Sequence, residues 1–103
     1  MKTAEEIFLG LGTNLGNRIE NLRNAKALLA PKVEILQESS IYQTPPWGYL
    51  DQPKFLNQVI EVRTKLQPYQ LLRYLKAVET QMGRVTLFRY GPRIIDLDII
   101  FYG

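Results

Sequence analysis

Hydrophobic and polar positions alternate over residues 6–12, EIFLGLG, which predicts a strand. Ile7, Leu9 and Leu11 share one face of it, and Phe8, Gly10 and Gly12 share the other. Asn14 to Asn17 reads as a turn into a helix, where Ile19, Leu22 and Leu29 fall near one face with Ala25 between them. Pro31 ends that helix, because it lacks the N–H a further turn needs. Residues 33–42 read as a second strand, with Val33 and Ile35 alternating with Glu34. Residues 44–53, TPPWGYLDQP, hold three prolines and a glycine and form a loop. Ordered loops of that length usually carry function. A third strand follows around 56–64, where Ile60 and Val62 alternate with polar residues. Pro68 suits the first turn of a second helix, whose stripe is Leu71, Leu75, Val78 and Met82, and Gly83 suits its end. Residues 84–93 are a basic loop, and 94–102 are the strongest strand pattern in the chain.

The element order is β-α-β-β-α-β across one domain, residues 1–103. That order predicts an α+β, ferredoxin-like core: an antiparallel sheet with both helices on one face. The first and last strands are expected as neighbours in the sheet centre, and the face without helices is left open for a site.

Composition narrows the chemistry. The 103 residues are 46% hydrophobic and 22% charged, an ordinary globular balance. The absence of cysteine excludes disulfides, thiolate metal sites and thiol catalysis, and the absence of histidine removes the commonest general base. A bound metal must then take oxygen ligands. Residues 63–93 carry seven Lys/Arg against Glu79, a local charge of +6 within a net +3. Such a stretch suits an anionic partner, although a solvated helix face accounts for charge alone. No apolar run is long enough to span a membrane, and MKTAEE has acids where a signal peptide would be apolar. A cytoplasmic monomer is expected, with self-association through an exposed sheet edge left open.

Chemistry-bearing residues cluster in four places. Alternation in IIDLDIIFY puts Ile95, Leu97, Ile99 and Phe101 on one face and Asp96 and Asp98 on the other. The two acids are about 6.6 Å apart along the strand, a spacing that straddles one magnesium ion or holds a pair. Gly10 and Gly12 face the same way and let a ligand approach the backbone. The run GLGTNLG fits neither the dinucleotide-binding nor the P-loop pattern. Arg84, Arg89 and Arg93 flank Tyr90-Gly91-Pro92 and provide forks for phosphate oxygens. Thr44-Pro45-Pro46-Trp47 and Phe55-Leu56-Asn57 suit a flat polar ring, stacked on Phe55 and read at its edge by Asn57. A stiff loop over core aromatics is the plainer reading of that last group.

LGTNLGNR (11–18), YQTPPWG (42–48), DQPKFLN (51–57), Glu79 with Gly83-Arg84, and above all RYGPRIIDLDII (89–100) occur in this order. In this the chain resembles the 6-hydroxymethyl-7,8-dihydropterin pyrophosphokinases of folate biosynthesis, from about residue 7 onward. The resemblance implies transfer of pyrophosphate from ATP to a pterin alcohol, leaving AMP. It implies two magnesium ions on Asp96 and Asp98, phosphate contacts from Arg84, Arg89 and Arg93, and Glu79 and Ile99 in the nucleotide pocket. Thr44, Pro45 and Asn57 would then bind the pterin edge, Phe55 would stack on its ring, and Trp47 would shield it. Thr86 stands where that family often has a further arginine. Members of the family continue well past the last strand, with further ATP contacts and a second aromatic for the pterin.

A non-catalytic nucleotide- or pterin-binding fragment is the alternative within that family. An RNA-binding module on the same fold is the alternative outside it. The third strand, NQVIEVRT, lacks the aromatics such RNA readers stack on bases, so no nucleic-acid partner is expected.

Overall fold

The computed structural model describes residues 5–84 and 91–103. Its elements are β1 (Ile7–Thr13), α1 (Arg18–Leu29), β2 (Glu34–Glu38), β3 (Tyr42–Thr44), β4 (Phe55–Arg63), α2 (Pro68–Gln81) and β5 (Asp96–Tyr102). They form a five-stranded sheet in the order β2-β4-β1-β5, with β3 also on β4 and every pairing antiparallel. This is the expected α+β ferredoxin-like arrangement. Leu22, Ala25 and Leu29 of α1 and Leu71, Leu75 and Val78 of α2 are buried in one cluster with Ile7, Leu9, Leu11, Ile60, Val62 and Leu97 of the sheet. The other sheet face is uncovered among the described residues.

Capping follows from the residues at the helix ends. The Asn17 side chain accepts from the Glu20 N–H, and α1 starts there. Gln67 and Gln70 form a reciprocal capping box ahead of Pro68 at the start of α2. Gly83, at φ +86°, takes the left-handed turn that follows α2.

Four expectations need correction. The single strand over 33–42 is two strands, because Ser39 interrupts the ladder. Its hydroxyl accepts from the Val59 N–H at 2.9 Å, so a side chain takes the place of a backbone carbonyl. The last strand is not central: among the described strands β5 lies at the edge and pairs only with β1, while β1 and β4 hold the centre. Phe101 does not share a face with Leu97 and Ile99. The register slips between Phe8 and Leu9, which leaves Ile100 as the extra residue of a bulge. Phe101 therefore turns to the uncovered face, where its ring centroid is 6.5 Å from that of Phe8. Tyr102 turns to the helix side, where its hydroxyl donates to the Leu66 carbonyl. Finally, Ile19 is 46% exposed. Asn21 is buried in its neighbourhood instead, donating to Thr13 Oγ1 and the Leu15 carbonyl and fixing the β1–α1 turn.

Candidate active site

The strand register builds the site from below. On β1, Gly12 lies between Asn57 of β4 and Asp96 of β5, and Gly10 lies between Val59 and Asp98. Residues directly opposite across strands share a face. The uncovered face therefore has a trough whose floor is glycine backbone and whose two walls belong to different strands. A Cβ at Gly12 would come within 3.3 Å of Asn57 Oδ1 and 3.7 Å of the Phe55 ring. A side chain there would thus occupy the trough itself.

Thr44, Trp47, Phe55, Asn57, Gly91, Arg93 and Asp96 line a cleft of about 210 Å³ at this end of the sheet. The loop-borne and strand-borne residues expected at one site therefore meet. The Asn57 amide nitrogen donates to Thr44 Oγ1 at 2.7 Å. That bond turns Oδ1 toward the trough as an acceptor. Trp47 stands at the rim, 80% exposed, and Pro45 is exposed in the same loop. A larger concavity, about 1020 Å³, lies at the opposite end of the strands beside Lys32, Arg63 and Tyr102. It is open, Arg63 is paired with Glu34 there at 2.7 Å, and it gathers none of the expected residues.

The other wall is ionic. Asp96 faces the Arg84 guanidinium at 3.6 Å and that of Arg93 at 3.5 Å. These separations are longer than charge-assisted hydrogen bonds, so guanidinium donors stay available to an incoming anion. Arg84 Nε is buried without a hydrogen-bond partner. Glu79 is only 3% exposed, and its carboxylate accepts from the Leu97 N–H at 2.7 Å and from Lys76 Nζ at 3.2 Å. Lys76 also donates to the Leu97 carbonyl at 3.1 Å and lies 3.9 Å from Asp98. Glu79 is thus turned into the β5 edge, and Ile99 packs against the core on the helix side. Arg89 lies outside the described residues.

Burial, and then the neighbouring Asp96 charge, push the Asp98 carboxyl above its ordinary 3.8, against the opposing pull of Lys76. With 63% of its side chain exposed, solvent keeps the effect on stability small. The sign is fixed nonetheless. A raised folded-state value favours folding below 3.8, and that contribution is lost as pH rises through the folded value. Asp98→Asn should therefore raise the melting temperature slightly at neutral pH. The gain should vanish below 3.8, where Asp98 is protonated in both states. Melting curves across that range check it, and a gain that persists at low pH would refute the assignment.

No group of three or more His, Cys, Asp or Glu gathers as a metal cage among the described residues. Two carboxylates on an open face fit a different kind of ion. Magnesium is commonly held by one or two carboxylates and completes its shell with water and substrate phosphates.

The sheet order and the cleft on its uncovered face define a ferredoxin-like α+β domain. No helix among the described residues is long and apolar enough to cross a membrane. The family model for 7,8-dihydro-6-hydroxymethylpterin-pyrophosphokinase (HPPK) matches residues 8–103, and the chain belongs to that family. It is 46% identical over 100 residues to the mitochondrial folate synthesis bifunctional protein of Pisum sativum, covering 96% of this chain and 19% of that protein. It is 43% identical over 97 residues to the 2-amino-4-hydroxy-6-hydroxymethyldihydropteridine pyrophosphokinase of Bacillus subtilis, covering 92% of this chain and 58% of the relative. The enzyme of the same name from Aquifex aeolicus is 42% identical over 96 residues, which is 93% of this chain and 60% of the relative. The chain thus spans less than two thirds of each of these relatives.

Two residues at the site were not singled out from sequence. Lys76 is one helical turn before Glu79, a spacing visible in the chain. Asn14, inside LGTNLGNR, shows its partners only once the loops are folded together.

Proposed function

We propose that this chain carries the core of an enzyme that transfers pyrophosphate from ATP to the hydroxymethyl group of 6-hydroxymethyl-7,8-dihydropterin, releasing AMP. The observation that supports it best is the cleft that joins Thr44, Phe55 and Asn57 to Arg93 and Asp96. Ring-reading groups and phosphate-handling groups share one trough. Phe55 stacks on the pterin, Asn57 Oδ1 accepts from its amino-bearing edge, and Thr44 and Pro45 complete that edge, with Trp47 as cover. Arg84 and Arg93 hold phosphate oxygens on the opposite wall, and Arg89, outside the described residues, is a further phosphate contact. Asp96 and Asp98 are the residues that would hold magnesium, two ions with ATP. A magnesium ion held there would supply neutralisation of phosphate charge and a lower pKa for the substrate hydroxyl.

The pterin hydroxyl oxygen attacks the β-phosphorus, the bond from that phosphorus to the α-phosphate bridging oxygen breaks, and AMP carries away the electron pair. The hydroxyl proton leaves to solvent. Catalysis of this kind rests on alignment and charge neutralisation rather than on a protein base, which suits a chain without histidine. Glu79 lines the nucleotide pocket and also holds Leu97 between the two aspartates.

The test is AMP release from ATP and magnesium, with and without the pterin. Pterin-dependent AMP is expected; its absence, with both ligands still bound, would reduce the chain to the non-catalytic binding fragment. Phe55→Ala should weaken the pterin by about tenfold, as loss of an aromatic stacking face does, and leave ATP affinity nearly unchanged. Fluorescence titration of each ligand separately decides this, and equal loss of both would refute stacking.

A further inference from the structure

Asn14 touches none of the atoms assigned to substrate, yet it joins two of the segments that carry them. It is 1% exposed. Its amide nitrogen donates to Gln52 Oε1 at 2.8 Å and to the Pro53 carbonyl at 3.0 Å, both at the end of the Pro-rich loop. Its Oδ1 accepts from the Arg93 N–H at 2.8 Å, and its own N–H donates to the Arg93 carbonyl at 3.0 Å. Gln52 extends the clip by donating to the Tyr49 carbonyl at 2.6 Å, two residues from Trp47. Beneath it, Asn21 pins Thr13 and Leu15 and so fixes the turn that carries Asn14.

We propose that Asn14 is a positioning residue that locks the 44–54 loop to Arg93, holding the two walls of the trough at a fixed separation. The chemistry explains why an asparagine stands there. Two donors and one acceptor on a short neutral side chain satisfy all three partners. Aspartate keeps the acceptor for Arg93 but sets a carboxylate against two acceptor oxygens. Alanine removes all three hydrogen bonds at a part-buried junction, which is costly. The catalytic consequence rests on the pyrophosphokinase reading above; the mechanical lock does not.

The test compares Asn14→Ala, Asn14→Asp and Gln52→Met with the parent chain. Without ligand, amide hydrogen exchange at Arg93 and fluorescence anisotropy of Trp47 report the two ends of the lock. In Asn14→Ala, Arg93 exchange should rise by about tenfold, the equivalent of one lost hydrogen bond, and Trp47 should become more mobile. Asn14→Asp should restore protection at Arg93 but not order at Trp47. Gln52→Met, at a half-buried position, should loosen Trp47 and leave Arg93 protected. In turnover, Asn14→Ala should lower kcat by roughly tenfold to a hundredfold, with smaller changes in KM for either substrate, as misalignment does.

A lower melting temperature with Arg93 exchange, kcat and both KM values within twofold of the parent would overturn the proposal. Should Asn14→Ala fail to fold, Gln52→Met decides, and unchanged Trp47 mobility refutes the lock. Should the parent chain turn over nothing, the pyrophosphokinase reading fails while the exchange data still judge Asn14.

Discussion

Asp96→Ala should abolish the magnesium-dependent part of nucleotide binding and lower turnover by about a hundredfold to a thousandfold, the usual cost of deleting one pre-organised charge-stabilising group. Asp96 stands at the centre of the ionic wall: it lines the cleft and faces both Arg84 and Arg93. Its removal has two effects of opposite sign. The carboxylate that would hold the cation is gone, and the guanidiniums, 3.6 and 3.5 Å away, lose their counter-charge. Metal-free ATP should therefore bind the variant at least as well as the parent, while added magnesium no longer helps. Calorimetric titration with and without magnesium separates the two. Full magnesium-dependent affinity in the variant would sink the metal assignment.

The second large effect belongs to a residue with no side chain. Gly12→Val should reduce pterin affinity by more than about a hundredfold, because its branches would stand where the ring is proposed to lie. Even a single added carbon comes to 3.3 Å from Asn57 Oδ1. Valine favours strands, so β1 should persist, with a lower melting temperature as Asn57 gives way. Gly10→Ala is a control in the same strand. Its added carbon would meet the flexible end of Ile100, at 3.1 Å, which has room to turn away. Pterin titration of the two variants side by side is the check, and equal losses would place the ring elsewhere.

Periodicity carried most of the architecture. The stripes of β1 and α2 appear in the structure as buried Ile7, Leu9, Leu11, Leu71, Leu75 and Val78. The shared face of the glycines and aspartates was legible for the same reason, since a strand side chain has only two directions to point. What alternation could not carry was anything that breaks it. The extra residue at Ile100 reverses the faces of Phe101 and Tyr102, and no local feature of IIDLDIIFY marks it. The Ser39 interruption depends on a hydroxyl competing with a backbone carbonyl, which needs β4 alongside. The inward turn of Glu79 depends on a strand that enters the sheet 18 residues later. Asn14 was equally silent, because its partners lie 38, 39 and 79 residues away.

The contacts of Glu79 and Lys76 with Leu97 also bear on how copies of the chain meet. An edge strand presents a ladder of unused N–H and C=O groups, a ready template on which another strand can grow. Along β5 the outward pair at Leu97 is already taken, its N–H by Glu79 and its carbonyl by Lys76. Both plugs come from α2 and are charged, so an incoming strand would have to strip an ion pair from the start of β5 before it could zip along the whole edge. The helix that packs the core thus also guards the sheet against edge-to-edge aggregation, and it does so with side chains that border the aspartates.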